Sequence, residues 1–250
     1  MTQPYVKSDI NNQIATIEFF HPAHNSLPGD ILAQLANTIK EMGQNEEVLV
    51  IVLKSGGDRT FCAGASFKEL INIQDEETGK KFFSGFANVI NAMRKCPKFI
   101  IGRVQGKVVG GGVGLASAMD YCMATKYASI KLSELNIGIG PFVVGPAVER
   151  KLGVSGMSQI AIDANSFYDA EWARQKGLYT QVFETTEALD EAVQAFAENL
   201  CAYNPEAVKH MKQMFWRGTE DWDSLLMERA KISGKLVLSE FTKEKLKRFK

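Results

Sequence analysis

Two β-rich runs, residues 5–10 and 14–19, flank the turn residues Asn11, Asn12 and Gln13, which predicts a hairpin that opens a sheet. After the irregular stretch HPAHNSLP at 21–28, Ile31, Leu32, Leu35, Ala36, Ile39 and Met42 recur at helical spacing until Gly43. The run 48–53 is apolar at every position and stops at Lys54, Ser55, Gly56, Gly57 and Asp58. Such a run predicts a strand buried on both faces, and so a sheet covered by helices. Residues 61–70, FCAGASFKEL, pass from a strand end through small residues into a helix start. A helix over 78–94 puts Phe82, Phe83, Phe86, Val89, Ile90 and Met93 on one face and stops before Pro97.

The stretch 96–141 holds a strand at 99–104, a turn at Gly106, the run Gly110, Gly111, Gly112, a small-residue helix from Val113, another strand and an isolated carboxylate, Glu134. Beyond Pro141, residues 148–152 and 157–164 read as short helices, and 169–176 as another that Gly177 ends. A short strand at 179–184 precedes a helical remainder at 189–201, 205–216 and 222–238. Strands alternating with helices, followed by helices alone, predict the α/β class, with a core over 1–186 and a helical region over 187–250. The closing KEKLKRFK is a basic cluster read as a solvated helix face.

Composition narrows the classes. At 250 residues and 45% hydrophobic, the chain can bury a substantial interior. Lys plus Arg equals Asp plus Glu at 29 each, so no global field directs the chain to nucleic acid or an anionic membrane. No basic stripe with interleaved aromatics supports an RNA-binding role. Cys62, Cys96, Cys122 and Cys201 form no C-x-x-C pair and sit mostly among apolar neighbours, the pattern of buried free thiols in a reducing compartment. The N-terminal residues lack a charged segment followed by an apolar one, and no run approaches the ~18 apolar residues of a membrane span. The expected location is cytoplasmic, with no membrane partner.

The chemistry centres on backbone. Gly110, Gly111 and Gly112 carry no Cβ and stand where a helix begins, so a substrate atom can approach N–H groups that the helix leaves unpaired. Such donors stabilise developing negative charge. A dinucleotide fingerprint needs a third glycine where Leu115 or Ser117 stands, and the stretch from Gly102 to Lys107 is one residue short of a phosphate loop. His21, His24 and His210 lack the H-E-x-x-H spacing and no Cys/His cluster has ligand spacing, so no metal site is expected. Ser66 begins like a nucleophile elbow, but the second glycine is missing, and a helix N-cap is the simpler reading.

What remains is a pair of glycine/alanine strand-to-helix turns and one acid. The motifs FCAGASFKEL at 61–70, QGKVVGGGVGLA at 105–116, Asp120-Tyr121 and LSELNIGIGP at 132–141, in this order and spacing, resemble the enoyl-CoA hydratase/isomerase (crotonase) superfamily. The resemblance runs from the N-terminal hairpin to the strand near Phe183 and is looser in the helical tail. It implies a ββα spiral core with a helical C-terminal region that mediates oligomerisation, as a homotrimer or a homohexamer. It also implies an acyl-CoA thioester as partner, with coenzyme A part of the substrate and no prosthetic group.

Carried over by position, the resemblance makes the N–H groups of Ala65 and Gly111 an oxyanion hole for the thioester carbonyl. Ala23, His24 and Ser26, with Ser66, Phe67 and Lys68, match where the family holds the CoA nucleotide and pantetheine arm. Gly110, Gly114, Pro141 and Phe142 fall at the substrate pocket. Ser66 stands where many members have Asp, and Lys243, Lys245 and Lys247 are assigned no CoA contact. Hydratases of the family generally use two glutamates; Glu134 matches the second, while Gly114 occupies the position of the first. Adding water is easier with two groups to orient and deprotonate it. Double-bond isomerisation needs one carboxylate, which takes the C2 proton of a 3-enoyl thioester and returns it at C4. Pro141-Phe142 also resembles the Pro-Phe of some isomerases, where hydratases usually have Pro-Gly. The expected activity is therefore 3-enoyl-CoA to 2-enoyl-CoA isomerisation with Glu134 as base, with hydration, decarboxylation and non-catalytic acyl-CoA binding as alternatives.

Overall fold

In the computed structural model, residues 3–247 are described; Met1 and Thr2, and Arg248, Phe249 and Lys250 of the basic tail, lie outside that range. Asn12 and Gln13 take left-handed φ values of 48° and 66°, the turn geometry that matches strand twist. They join β1 (Tyr5–Asn11) antiparallel to β2 (Ile14–Phe20). Next come β3 (Ser26–Leu27), α1 (Gly29–Gln44), β4 (Val50–Ser55), β5 (Thr60–Cys62), β6 (Gly64–Ala65), the single turn α2 (Phe67–Leu70) and α3 (Glu76–Lys95). The middle of the chain supplies β7 (Ile100–Val104), β8 (Lys107–Val109), α4 (Gly111–Ala118), β9 (Tyr121–Thr125), β10 (Ile130–Lys131) and a 3-10 turn at Glu134–Ile137. Then follow α5 (Gly145–Ile162), α6 (Ala170–Gln175), β11 (Gln181–Phe183), α7 (Thr186–Cys201), α8 (Pro205–Phe215), α9 (Trp222–Leu236) and α10 (Glu240–Lys247).

The main sheet has the order β1-β2-β4-β7-β9-β11, parallel except for the hairpin. Strands β4, β7 and β9 are each followed by a short strand of a second sheet, ordered β10-β8-β5, and β3 pairs with β6 in a third. This recurring β-β-α path delivers chain segments to one end of the main sheet, where the site forms. The expectation for 48–53 holds: Ile51 and Leu53 enter the main core, while Val50 and Val52 face Leu189, Val193, Ala197 and Leu200 of α7. The helical C-terminal region is present, and its first helix covers the outer face of the sheet. Cys62, Cys96 and Cys122 are buried free thiols and Cys201 is half-buried. Among the described residues no helix is long and apolar enough to cross a membrane.

Three elements depart from the expected pattern. Helix α4 starts at Gly111 rather than Val113, because Gly110, with φ 54°, is its N-cap and the next two glycines are already helical. The two short helices expected at 148–152 and 157–164 form one element, α5, broken at Gly153 by φ 68° and ψ 166°. Part of the basic tail folds as α10, whose Thr242 and Leu246 are buried while Lys243 stays exposed and pairs with Glu240 at 3.3 Å. Helix α9 lies against α3 at a glycine crossing, where a Cβ on Gly79 would lie 2.8 Å from the Gly234 Cα. Gly79→Ala should force the helices apart and lower stability by about 1–3 kcal/mol, read as a drop in Tm; an unchanged Tm would show that the crossing can open freely.

Candidate active site

The short strands bring Ala65 and Gly111 to the wall of one cavity. Just after β6 the Ser66 N–H donates to Leu27 O of β3 at 2.9 Å; because N–H groups alternate along a strand, the Ala65 N–H points away from β3. On that other side Gly64, at φ 89°, packs on the start of α4, where a Cβ would lie 3.1 Å from Val109 O and 3.4 Å from Gly111 N. Gly111 is the first residue of α4, so its N–H has no acceptor within the helix. The Phe86 ring covers the Gly111 Cα so closely that a side chain there would collide with it. The Ser26 hydroxyl donates to Ala65 O at 2.9 Å and fixes that peptide.

Asn25 braces the loop that leads into β3. It is 3% exposed, its Oδ1 accepts from His21 N at 2.8 Å, and its Nδ2 donates to Gly56 O and Thr60 O at 2.9 Å each. This anchor holds His24 and Asn25 at φ 54° and 55°. Ser66 caps α2 by accepting from Glu69 N at 3.3 Å.

These elements enclose a cavity of about 350 Å³. Glu134, at the start of the 3-10 turn, is the one titratable side chain lining it among the described residues. A Cβ on Gly110 would lie 3.2 Å from Glu134 Oε1, and Gly110 has φ 54°, so glycine suits the position where the carboxylate packs against the start of α4. Glu134 Oε2 is buried with no hydrogen-bond partner among the described residues. Burial pushes the carboxyl up to about 7, against the smaller opposing effect of the Glu134 and Ser133 backbone N–H groups. The turn is braced by α10: Thr242 Oγ1 donates to Gly138 O at 3.3 Å. Phe82, Phe83 and Phe86 form the α3 wall, and Phe142 folds its ring over Gly140. A carboxylate that can hold or release a proton near neutrality, in a cavity that Ala65 and Gly111 also line, can remove a proton, and backbone N–H donors in such a cavity can hold the resulting anion.

A profile of the enoyl-CoA hydratase/isomerase family matches residues 9–249. The chain belongs to this family. Among acyl-CoA enzymes of the family, the chain is similar to the peroxisomal Delta(3,5)-Delta(2,4)-dienoyl-CoA isomerase of Arabidopsis thaliana, 26% identical over 235 residues that cover 88% of this chain and 83% of that one. It is similar also to the short-chain-enoyl-CoA hydratase of Clostridium acetobutylicum, 28% identical over 239 residues, 95% of this chain and 91% of that one. The crystal structure of enoyl-CoA hydratase from Bacillus halodurans superposes with a TM-score of 0.90 at 19% identity, over 98% of this chain and 99% of that one, and so shares the crotonase fold. Relatives at similar identity carry an isomerase name and a hydratase name, so the reaction has to be read from the site itself.

Within this enoyl-CoA hydratase/isomerase fold, the cavity brings together Ser26, Ala65, Phe67, Gly110, Gly111, Glu134, Pro141 and Phe142. Other expected positions do not line it. Ala23, His24 and Lys68 are exposed, and Ser66 is buried as a cap. Gly114 is buried behind Val144: a Cβ on Gly114 would lie 2.5 Å from Val144 Cγ1 and 2.7 Å from its Cβ, and Val144 is what reaches the cavity. Val144 and Ser233 also line the cavity, and nothing in the sequence around them marks a site. Phe82, Phe83 and Phe86 do share one helix face, but periodicity does not tell a face that walls a cavity from one that packs.

Proposed function

We propose that the protein is an enoyl-CoA isomerase that moves a 3-enoyl-CoA double bond to C2, with Glu134 as its single base. The observation that carries this reading is that Glu134 is the lone titratable side chain lining the cavity among the described residues, with Val144 filling the space beside Gly114 where a second acid would stand. The thioester oxygen accepts hydrogen bonds from the Ala65 and Gly111 N–H groups. Glu134 removes the C2 proton, and the freed electron pair spreads over a dienolate whose negative charge rests on that oxygen. The protonated Glu134 then returns the proton at C4, leaving the double bond between C2 and C3 and the carboxylate restored. No atom is gained or lost, so no water is needed.

Each oxyanion donor of this kind is worth ~3 kcal/mol in the transition state. A carboxyl near 7 suits both halves of the cycle, since it must accept a proton and give it back. The pantetheine arm would leave past Ser26 and Phe67 toward the exposed Ala23, His24 and Lys68. Coenzyme A emerges unchanged and belongs to the substrate.

The test is incubation with trans-2-, cis-3- and trans-3-enoyl-CoA in ¹⁸O-labelled water, with products resolved by mass. Bond migration without oxygen incorporation is expected; a labelled hydroxyacyl-CoA as the main product would replace the isomerase reading with hydration. A related expectation concerns Gly114→Glu. The new side chain meets Val144, so the variant should lose about 1–3 kcal/mol of stability and gain no hydratase activity in the same assay.

A further inference from the structure

Away from Glu134, the α9 wall of the cavity carries a polar group that isomerisation does not use. Ser233 lies on α9, is 1% exposed and lines the cavity. It sits beside the Gly79–Gly234 crossing, one helical turn from Phe82 and Phe83 on the facing α3. Its hydroxyl makes no hydrogen bond with any described residue, not even the carbonyl of the preceding turn that a helical serine commonly takes. The other cavity hydroxyls have evident places. That of Ser26 is bound to Ala65 O, and Ser133 adjoins Glu134 at the reacting end.

An alanine at 233 would satisfy the close helix crossing equally well and would leave no polar atom against an apolar wall. Facing the cavity with no partner among the described residues, that hydroxyl is left to water until a ligand supplies a partner. We propose that Ser233 hydrogen-bonds an uncharged oxygen substituent, a hydroxyl or a ketone, on the acyl chain, so that the preferred substrate is an oxygen-bearing acyl-CoA rather than a plain fatty one. The substituent is uncharged because among the described residues no Lys, Arg or His lines the cavity; a carboxylate would be buried without a described partner, in the same cavity as the Glu134 carboxylate. This inference rests on the acyl-CoA reading of the site but not on the choice of reaction.

The experiment uses saturated acyl-CoA thioesters, which cannot isomerise, and measures their affinity for the full-length protein by titration calorimetry. Each unsubstituted chain is compared with the same chain carrying a hydroxyl at successive carbons from C4 outward. At one position the hydroxylated thioester is expected to bind about threefold to tenfold more tightly than its parent, the worth of one neutral hydrogen bond. In Ser233→Ala that ratio is expected to fall to about one, and a ratio within one protein is insensitive to any loss of folded material. A wild type that prefers no hydroxylated isomer, or a preference that survives in Ser233→Ala, overturns the inference. Failure of every thioester to bind either protein overturns the acyl-CoA reading itself, and the inference with it.

Discussion

Glu134→Gln is expected to lower kcat for 3-enoyl-CoA by about 10²–10⁴-fold, the usual worth of a positioned acid–base group, while a saturated acyl-CoA still binds. The amide keeps the shape of the side chain but cannot take the C2 proton. Turnover that survives unchanged would mean the base lies elsewhere; thioester binding without turnover in either protein would make the chain a non-catalytic binder. The wild-type pH profile carries an independent signature. Burial raises the Glu134 carboxyl to about 7, and only its ionised form is a base, so kcat/KM should rise with pH through that value and level off above it. Stability should run the other way. The folded pKa of about 7 lies above the unfolded carboxylate range, so the folded state binds the proton more tightly. That contribution is complete below the unfolded pKa and is lost as pH rises through about 7. Between pH 5 and 8 the Tm of Glu134→Gln should therefore decline less with rising pH than that of the wild type.

The parts of the fold legible in the sequence are those with a period. The hairpin, α1, α3 and β4 each present enough residues for alternation, helical spacing or an unbroken apolar run to show. Strands β3, β6 and β10 have two residues each and offer no period, yet they build the site. Of these, only β6 lies in a motif of small residues; β3 falls in the irregular stretch 21–28. Glu134 could be singled out by its surroundings in the sequence, but its burial could not, because that depends on Gly110 and on a turn braced by Thr242, far along the chain. The same holds for the space beside Gly114, which is closed by a valine thirty residues later. The tail is legible as a helix face but not its buried side: Thr242 and Leu246 are the buried residues of α10 among those described, too sparse a stripe to stand out among lysines and glutamates.

Lys212→Met is expected to destabilise the protein by about 3–5 kcal/mol, the cost of leaving a buried charge uncompensated. The Lys212 and Asp120 side chains are 2% and 6% exposed and meet at 2.8 Å. Lys212 Nζ also donates to Lys98 O at 2.7 Å, and Asp120 accepts from Ile100 N at 2.7 Å and from Trp216 Nε1 at 3.2 Å. One ion pair thus fastens α8 to the start of β7 and to the turn after α4, the helix whose other end carries Gly111. With the lysine gone, the Asp120 carboxylate keeps two neutral donors and loses its ion-pair partner, while Lys151 Nζ stays on the Asp120 backbone O at 3.3 Å. The double variant Asp120→Asn/Lys212→Met removes both charges and should recover part of the loss, because it is the unpaired carboxylate and not the absent contact that dominates. Chemical denaturation of the wild type, the two single variants and the double variant gives the coupling directly. A single-variant cost below about 1 kcal/mol, the range of exposed pairs such as Arg174–Glu171, would mean that water reaches Asp120 and that burial does not set the strength of this link.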